Sequence, residues 1–587
     1  MIEATRASGD RRVEVMLAAS VIVVAFAAFA GTLAGGFVFD DVWIVRENPR
    51  VRDLARIGEI LTTPYWGETA SGLYRPVTLA TFAVNHALHG LDAFGYHAVN
   101  VLLHAAVSLL VFRLARRWLP RGAAFGAALL FAVHPVHVEA VAGIVGRSDL
   151  LAAFFLLGAL LTAVPGGSGE RRKGGMGRWV AVSVLFALAL GSKEIALAGL
   201  PLYLVLEAAR GRGDRRTVAA RAVWLLILTA GFLALKAAVT GSLGISREAT
   251  DLVDNPLAHL PADERVLSAV RVLGGYAGLL LFPIRLSYDR SFDQIPVVET
   301  PWNAGFLVSA VLVIAVLVAT GAAWRRSRAG FVGLAWLALA MLPVSNLLVP
   351  IGTIFAERLL YLPSVGFALA AAAALSRLAP GGAGSDRAGG GNRRRIGFLA
   401  AAILVLLAVR TVDRCTDWTS VDALYESGAS IAPRSARTRC ELGKLLYNRS
   451  LEASSVRSRR ALEDRAIAEL EAGVAIAPRF DPVARIALGY LYERRFRERD
   501  AARQFARAAE IAPRLPEARL LHLRSLARSG SREDLRDEVR RILADFPVED
   551  PGADPAFWGE VAGLLDGLRD PQLESAVRSR IRRAARE

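Results

Sequence analysis

The chain has 587 residues, of which 53% are hydrophobic and 21% charged, and its mean hydropathy is +0.37. That balance is too apolar for an ordinary soluble enzyme and excludes a disordered chain. The net charge is +16, yet no basic face with stacking aromatics and no nucleic-acid fold signature accompanies it, so no nucleic-acid partner is expected.

The first apolar run is Val13 to Leu33, preceded by Arg6, Arg11 and Arg12. No small-residue cleavage site follows, and the run exceeds a signal-peptide core, so it reads as a retained signal-anchor helix. Ten further runs fall near 98–116, 122–141, 148–165, 179–192, 195–209, 222–241, 303–323, 331–349, 358–376 and 396–412. About eleven spans are predicted. Residues 266–284 are apolar but hold Arg271 and Gly274–Gly275, and read as an in-plane or re-entrant segment.

Alternate loops are basic. They carry Arg113, Arg116, Arg117 and Arg121; then Arg171, Arg172, Lys173 and Arg178; then Arg210, Arg212, Arg215, Arg216 and Arg221. Arg325, Arg326 and Arg328 follow, and last Arg377, Arg387 and Arg393 to Arg395. The positive-inside bias then predicts an integral, multi-pass membrane protein with a cytoplasmic N-terminus. An odd number of spans puts the C-terminal region outside.

Composition changes near residue 412, which divides a membrane domain, 1–412, from a helical domain, 413–587. In the second, Ile-Ala-Pro recurs at 431–433, 476–478 and 511–513. Leu488, Gly489, Tyr492, Ala501, Phe505, Ala508 and Pro513 fit a tetratricopeptide (TPR) pattern, with Arg485 where Trp is usual. Leu442, Gly443, Leu446, Ala466, Leu470, Gly473 and Pro478 form the repeat before it, with about eleven extra residues near 450–461 between its helices. A degenerate third repeat ends at Pro547, and 553–587 reads as capping helices. The fold class expected is all-α: a polytopic helical membrane domain followed by an extracytoplasmic TPR solenoid. Such arrays bind proteins; the alternative is a purely structural cap. Cys415 and Cys440 are too few for a disulfide framework and read as buried thiols.

The first external loop, about 35–97, opens with Phe39-Asp40-Asp41. Adjacent carboxylates at a membrane surface fit a general base with an orienting partner, or two groups facing water. Without a clustered third ligand they are weak evidence for a metal. No cofactor is expected, and a divalent metal stays open. The same loop holds Tyr74-Arg75-Pro76. His86, His89, His97, His104, His134 and His137 are six of the eight histidines; they fit either a cavity lining or interfacial packing. In His134-Pro135-Val136-His137-Val138-Glu139 the proline breaks the helix between the histidines, against a zinc helix and for a cavity lining.

Gly146-Arg147-Ser148-Asp149, Ser192-Lys193-Glu194 and Glu357-Arg358 with Tyr361 stand at external span ends. Their cations run against the positive-inside bias. Each has an acidic neighbour, so mutual ion pairing is one reading; convergence on a phosphate is the other. No Gly-x-x-x-x-Gly-Lys-Ser/Thr loop occurs, and an external site lacks cytosolic nucleotides. A lipid-linked phosphate is the natural activated donor there.

Taken together, Phe39-Asp40-Asp41, Tyr74-Arg75-Pro76, Gly95-Tyr96-His97 with Asn100 and His104, His134 to Ala140, Gly146 to Asp149, Ser192 to Glu194 and Ala356 to Ser364 resemble the transmembrane and TPR-repeat-containing (TMTC) proteins. The likeness runs through both halves in the same order. The resemblance implies a GT-C-type membrane glycosyltransferase, linked to protein O-mannosylation. It implies a polyprenyl-phosphate sugar donor, undecaprenyl or dolichyl, and an extracytoplasmic acceptor protein reached through the TPR repeats. It implies Asp40 or Asp41 as catalytic base. Arg75, His134, His137, Glu139, Arg147, Asp149, Lys193, Glu194, Glu357, Arg358 and Tyr361 are the expected substrate-binding residues. The short repeat array fits a bacterial inner membrane better than an endoplasmic-reticulum membrane. Two other readings remain: a non-enzymatic TPR scaffold, and a transporter of a lipid-linked substrate, which would need access from both leaflets.

Overall fold

The computed structural model describes residues 2–67, 72–165, 175–211, 213–244, 250–378, 388–546, 555–565 and 570–584. Arg171, Arg172, Lys173, Arg212, Arg387 and Pro547 of the predicted loops and repeats lie outside these. Among the described residues every regular element is helical. The chain divides into two compact units, residues 1–290 with 295–431, and residues 291–294 with 432–587. The first unit runs past the compositional change near 412 because Cys415, Trp418 and Leu424 are buried in its core.

In the first unit each of the eleven predicted apolar runs falls mainly in helix, but they differ in length. Among the described residues six helices are long and apolar enough to cross a membrane: Asp10–Ala34, Ala93–Ala115, Ile144–Ala163, Arg215–Thr240, Ala304–Arg326 and Arg394–Thr416. A seventh span is a bent pair, Arg121–Ala132 with Pro135–Ala142, kinked by 47°. His134 caps the break, its Nδ1 accepting the Val136 N–H, and Pro135 supplies no N–H to continue the ladder. Met176–Ser192, Arg328–Val344 and Pro363–Leu378 are shorter apolar helices, as is Gly199–Arg210. Their polar or proline-bearing ends, at Ser192-Lys193, Pro343 and Glu357 to Leu360, turn out of the helix. Residues 266–284 fall largely in one continuous helix, Ala262–Leu281.

Burial separates an inner from an outer set. In Arg215–Thr240 only Leu225 and Lys236 are buried, and in Ala304–Arg326 only Ser309. Long helices that are apolar on exposed faces are stable in hydrocarbon, where their backbone bonds are satisfied internally. The protein is an integral membrane protein. Inside, Gly333 and Gly366 press the backbones of Arg328–Met341 and Pro363–Leu378 together, where a Cβ on either would strike the opposite main chain.

The second unit is a succession of helix pairs: Ala436–Glu452 with Val456–Ile476, Pro482–Arg494 with Glu498–Ile511, and Pro516–Ser529 with Arg532–Asp545. Pro555–Leu565 and Pro571–Ala584 follow, with Trp558 and Val577 buried. Gly443 admits Leu470 and Gly489 admits Phe505, as the repeat spacing predicts. Of the residues near 450–461 only 453–455 form the connecting turn. The others lengthen both helices of the first pair, to 17 and 21 residues against 13 and 14 in the next.

Candidate functional site

The helix Asp10–Ala34 ends in a short 3-10 turn, and Gly35 passes under His97, whose Nε2 meets the Gly36 carbonyl at 3.3 Å. Phe39 then takes a left-handed conformation, φ +51°. A bulky residue there is strained, and the strain places the next two carboxylates differently. Asp41 is buried. Its Oδ1 accepts the Val145 N–H at 2.8 Å and its Oδ2 the Val38 N–H at 3.3 Å. Burial pushes its carboxyl up to about 7, against the pull of those N–H groups. Asp40 is half-buried and lies within electrostatic reach of Arg358 and Tyr65.

The rest of the first loop is held by Arg50. Its guanidinium donates to Thr63 Oγ1 (2.6 Å) and to the carbonyls of Pro64 (2.8 Å) and Tyr65 (3.0 Å). Tyr65 is thereby fixed under Arg75, whose guanidinium carbon stands 5.1 Å from the ring centroid. Thr78 donates to the Ser192 carbonyl at 3.0 Å, and Val77 packs against Gly191. These contacts bring Arg75 beside Lys193-Glu194, 118 positions away in the sequence.

Three cation–carboxylate pairs result. Arg75 donates to Glu194 through Nε (3.1 Å) and Nη2 (3.0 Å). Lys193 pairs with Asp149. Arg358 holds Glu139 twice, through Nη1 at 2.6 Å and its backbone N–H at 2.9 Å. Thus no cation pairs within its own motif; each reaches across to another. Arg358 feels Glu139, Asp40 and Asp149, and Lys193 feels Asp149, Arg75 and Arg358. Asp40, Arg75, Glu139, Asp149, Lys193, Glu194 and Arg358 therefore form one electrostatic cluster. Burial pulls the Lys193 ammonium down to about 8. Asp149 Oδ1 is buried with no hydrogen-bond partner among the described residues.

Four of the expected residues are turned to packing. Arg147 is fully buried and donates to Asn100 Oδ1 (2.9 Å), Asn85 Oδ1 (2.8 Å) and the Tyr96 carbonyl (2.9 Å), with its guanidinium over Phe82. No carboxylate pairs with it among the described residues. His134 Nε2 meets the Leu280 carbonyl at 3.1 Å and His137 Nε2 meets Ser364 Oγ at 2.8 Å. Tyr361 OH meets His104 Nδ1 at 2.8 Å, and its ring packs on Phe131 and His137. Glu357, beside Arg358, accepts the Ser287 N–H at 2.7 Å. Among the described residues no group of three or more His, Cys, Asp or Glu side chains is placed to hold a metal ion.

Two residues that adjoin the cluster were not legible in the sequence. Tyr65 sits in an unremarkable loop sequence. Lys236 interrupts an apolar run, and a lone cation at membrane depth is the signal that marks it. It is buried and feels Glu194 and Arg75.

Two family models match stretches of the chain. The family model for Dolichyl-phosphate-mannose-protein mannosyltransferase matches 75–238, and that for Protein O-mannosyl-transferase TMTC, DUF1736, matches 249–317. Protein O-mannosyl-transferase F38B6.6 of Caenorhabditis elegans is 30% identical over 459 residues, 76% of this chain and 62% of that protein. Tmtc3 of Drosophila melanogaster is 32% identical, over 70% of this chain and 51% of its own. Human TMTC4 is 30% identical, over 74% and 64%. The chain thus spans about half to two thirds of the length of these curated relatives. A solved structure titled as ArnT from Cupriavidus metallidurans bound to undecaprenyl phosphate is 18% identical, covers 86% of this chain and 80% of its own, and has a TM-score of 0.36. Along most of its length the chain is thus similar to the TMTC proteins.

Proposed function

We propose that the chain is a membrane glycosyltransferase that moves a sugar, mannose by the names of its relatives, from a polyprenyl phosphate to Ser or Thr hydroxyls of extracytoplasmic proteins. The observation that carries this reading is the convergence of three cross-linked ion pairs, Arg75–Glu194, Lys193–Asp149 and Arg358–Glu139, beside Asp40. The pairs are amphoteric: unused N–H donors suit a phosphate, and carboxylate oxygens such as Asp149 Oδ1 suit sugar hydroxyls.

Asp40 is the base of this mechanism. It takes the proton of the acceptor hydroxyl as that oxygen attacks the anomeric carbon. The bond from that carbon to the phosphate oxygen breaks, polyprenyl phosphate leaves with the electron pair, and configuration inverts. Arg75, Lys193 and Arg358 stabilise the departing phosphate. Asp41 does not act on substrate; it positions the loop by accepting the Val145 and Val38 N–H groups. The N-terminus is cytoplasmic in this scheme. The helix-pair unit acts as a TPR array that holds the acceptor outside and raises its local concentration.

The test is reconstitution. Purified protein is given polyprenyl-phosphate mannose and a pool of extracytoplasmic proteins, and hexose addition to Ser and Thr is read by mass spectrometry. Hexose addition that depends on the chain supports the reading. Folded protein that transfers none, with this or other lipid-linked sugars, overturns it.

A further inference from the structure

The helix Arg215–Thr240 turns an apolar face outward, with Val223, Trp224, Leu226, Ile227 and Leu235 exposed. Its last turns meet the first loop, where Phe232 stacks on Tyr74 with centroids 6.1 Å apart. One turn further on, Lys236 points inward and is 4% exposed. Its Nζ donates to the Leu243 carbonyl at 3.0 Å. That bond uses one of three donors. Arg75, Lys193 and Arg358 each have a carboxylate partner; Lys236 has none within ion-pair distance among the described residues, although Glu194 and Arg75 act on it at longer range. An ammonium held inside a membrane helix is costly unless it meets an anion.

We propose that Lys236 binds the phosphate of the lipid-linked donor at a lateral entrance to the site, with the isoprenoid tail lying along the exposed face of Arg215–Thr240. This rests on the donor reading above and adds to it a residue, a route and an orientation. A lipid is favoured over a free phosphate because the cation stands on a helix whose exposed residues from Val223 to Ala238 are apolar. The phosphate would enter between Lys236 and the Arg75–Glu194 pair, which places the sugar toward Asp149, Lys193 and Asp40.

The experiment measures binding of sugar-free polyprenyl phosphate to the full chain in lipid nanodiscs. Lys236→Met keeps the length of the side chain and suits an apolar helix. It should weaken lipid-phosphate affinity about tenfold, the worth of one charge-assisted hydrogen bond. Lys236→Arg should stay within about threefold of wild type because it retains charge and donors. Excess inorganic phosphate should leave the lipid bound. Unchanged affinity in Lys236→Met, with or without a lowered melting temperature, would make Lys236 a helix cap only and overturn the inference while the donor reading stands. Displacement of the lipid by inorganic phosphate overturns the lateral lipid route. Wild-type protein with no affinity for polyprenyl phosphate overturns the donor reading as well.

Discussion

The Asp41 carboxylate accepts the backbone N–H of Val145 at 2.8 Å, and this bond gives two neighbouring acids different surroundings. Asp41 ties the end of the first helix to the start of Ile144–Ala163, with Val38 bonding its second oxygen. Asp40 is left half-buried beside Arg358. A base needs access to a proton, and Asp41 is buried behind the turn that presents Asp40.

Asp41→Ala should therefore act on stability. It strands two N–H groups, each costing about 1–3 kcal/mol when buried without an acceptor. Asp41→Asn keeps an acceptor and adds a pH signature. The folded carboxyl titrates near 7, above its ordinary 3.8, because burial disfavours the charge. The neutral acid is thus favoured by folding, and that stabilisation is lost as pH rises from 3.8 to about 7. The melting temperature of wild type minus that of Asp41→Asn should fall across this window in thermal unfolding scans. A difference that does not change with pH would contradict the assignment.

Donor binding should depend on pH through Lys193. Its ammonium, pulled down to about 8 by burial, is charged below that pH and neutral above it. Affinity for a polyprenyl phosphate should fall, by up to about tenfold, as pH rises through about 8. Lys193→Arg carries its charge throughout, so its binding curve should be flat over the same range.

Arg358 and Glu139 should couple energetically. Glu139 is buried while Arg358 is partly open to solvent, so removing one partner should cost less than the roughly 3–5 kcal/mol of a fully buried pair. Arg358→Met and Glu139→Gln should each destabilise the protein, and the double variant should lose less than the sum. A double-mutant cycle on unfolding should give a coupling of about 1–3 kcal/mol; independent effects would mean the pair is not formed.

Arg147→Lys should unfold the first unit at lower temperature while leaving donor affinity per folded molecule unchanged. The lysine cannot reach Asn100, Asn85 and the Tyr96 carbonyl together. A loss of about 2–4 kcal/mol is expected for a buried network broken in this way. Weakened donor binding with full stability would instead place Arg147 against the phosphate.

The sequence made the motifs visible but not their partners. Lys193 and Glu194 are adjacent, and the sequence offered them to each other. The backbone sends them to Asp149 and Arg75, because a β-extended Lys193 points the two side chains apart. Arg147 and Asp149 likewise part on the first turn of a helix. The apolar periodicity located all eleven helical runs. It overstated several of them because hydropathy does not register that His134-Pro135 or Glu357 to Leu360 leaves the helix. In the second unit Gly443 and Gly489 were readable from spacing alone, since a packing repeat fixes where a side chain cannot fit. The added residues near 450–461 were not, because a local pattern does not say whether an insertion extends a helix or a turn.

The most direct test of the account compares Asp40→Asn with Asp41→Asn in the reconstituted transfer reaction, with polyprenyl-phosphate binding measured on the same preparations. Asp40→Asn should bind the donor as wild type does and lose about 10²–10⁴-fold in transfer, the usual worth of a general base. Asp41→Asn should keep most transfer per folded molecule. Wild-type transfer rates in Asp40→Asn, or a loss confined to Asp41→Asn, would contradict the assignment of Asp40 as the base.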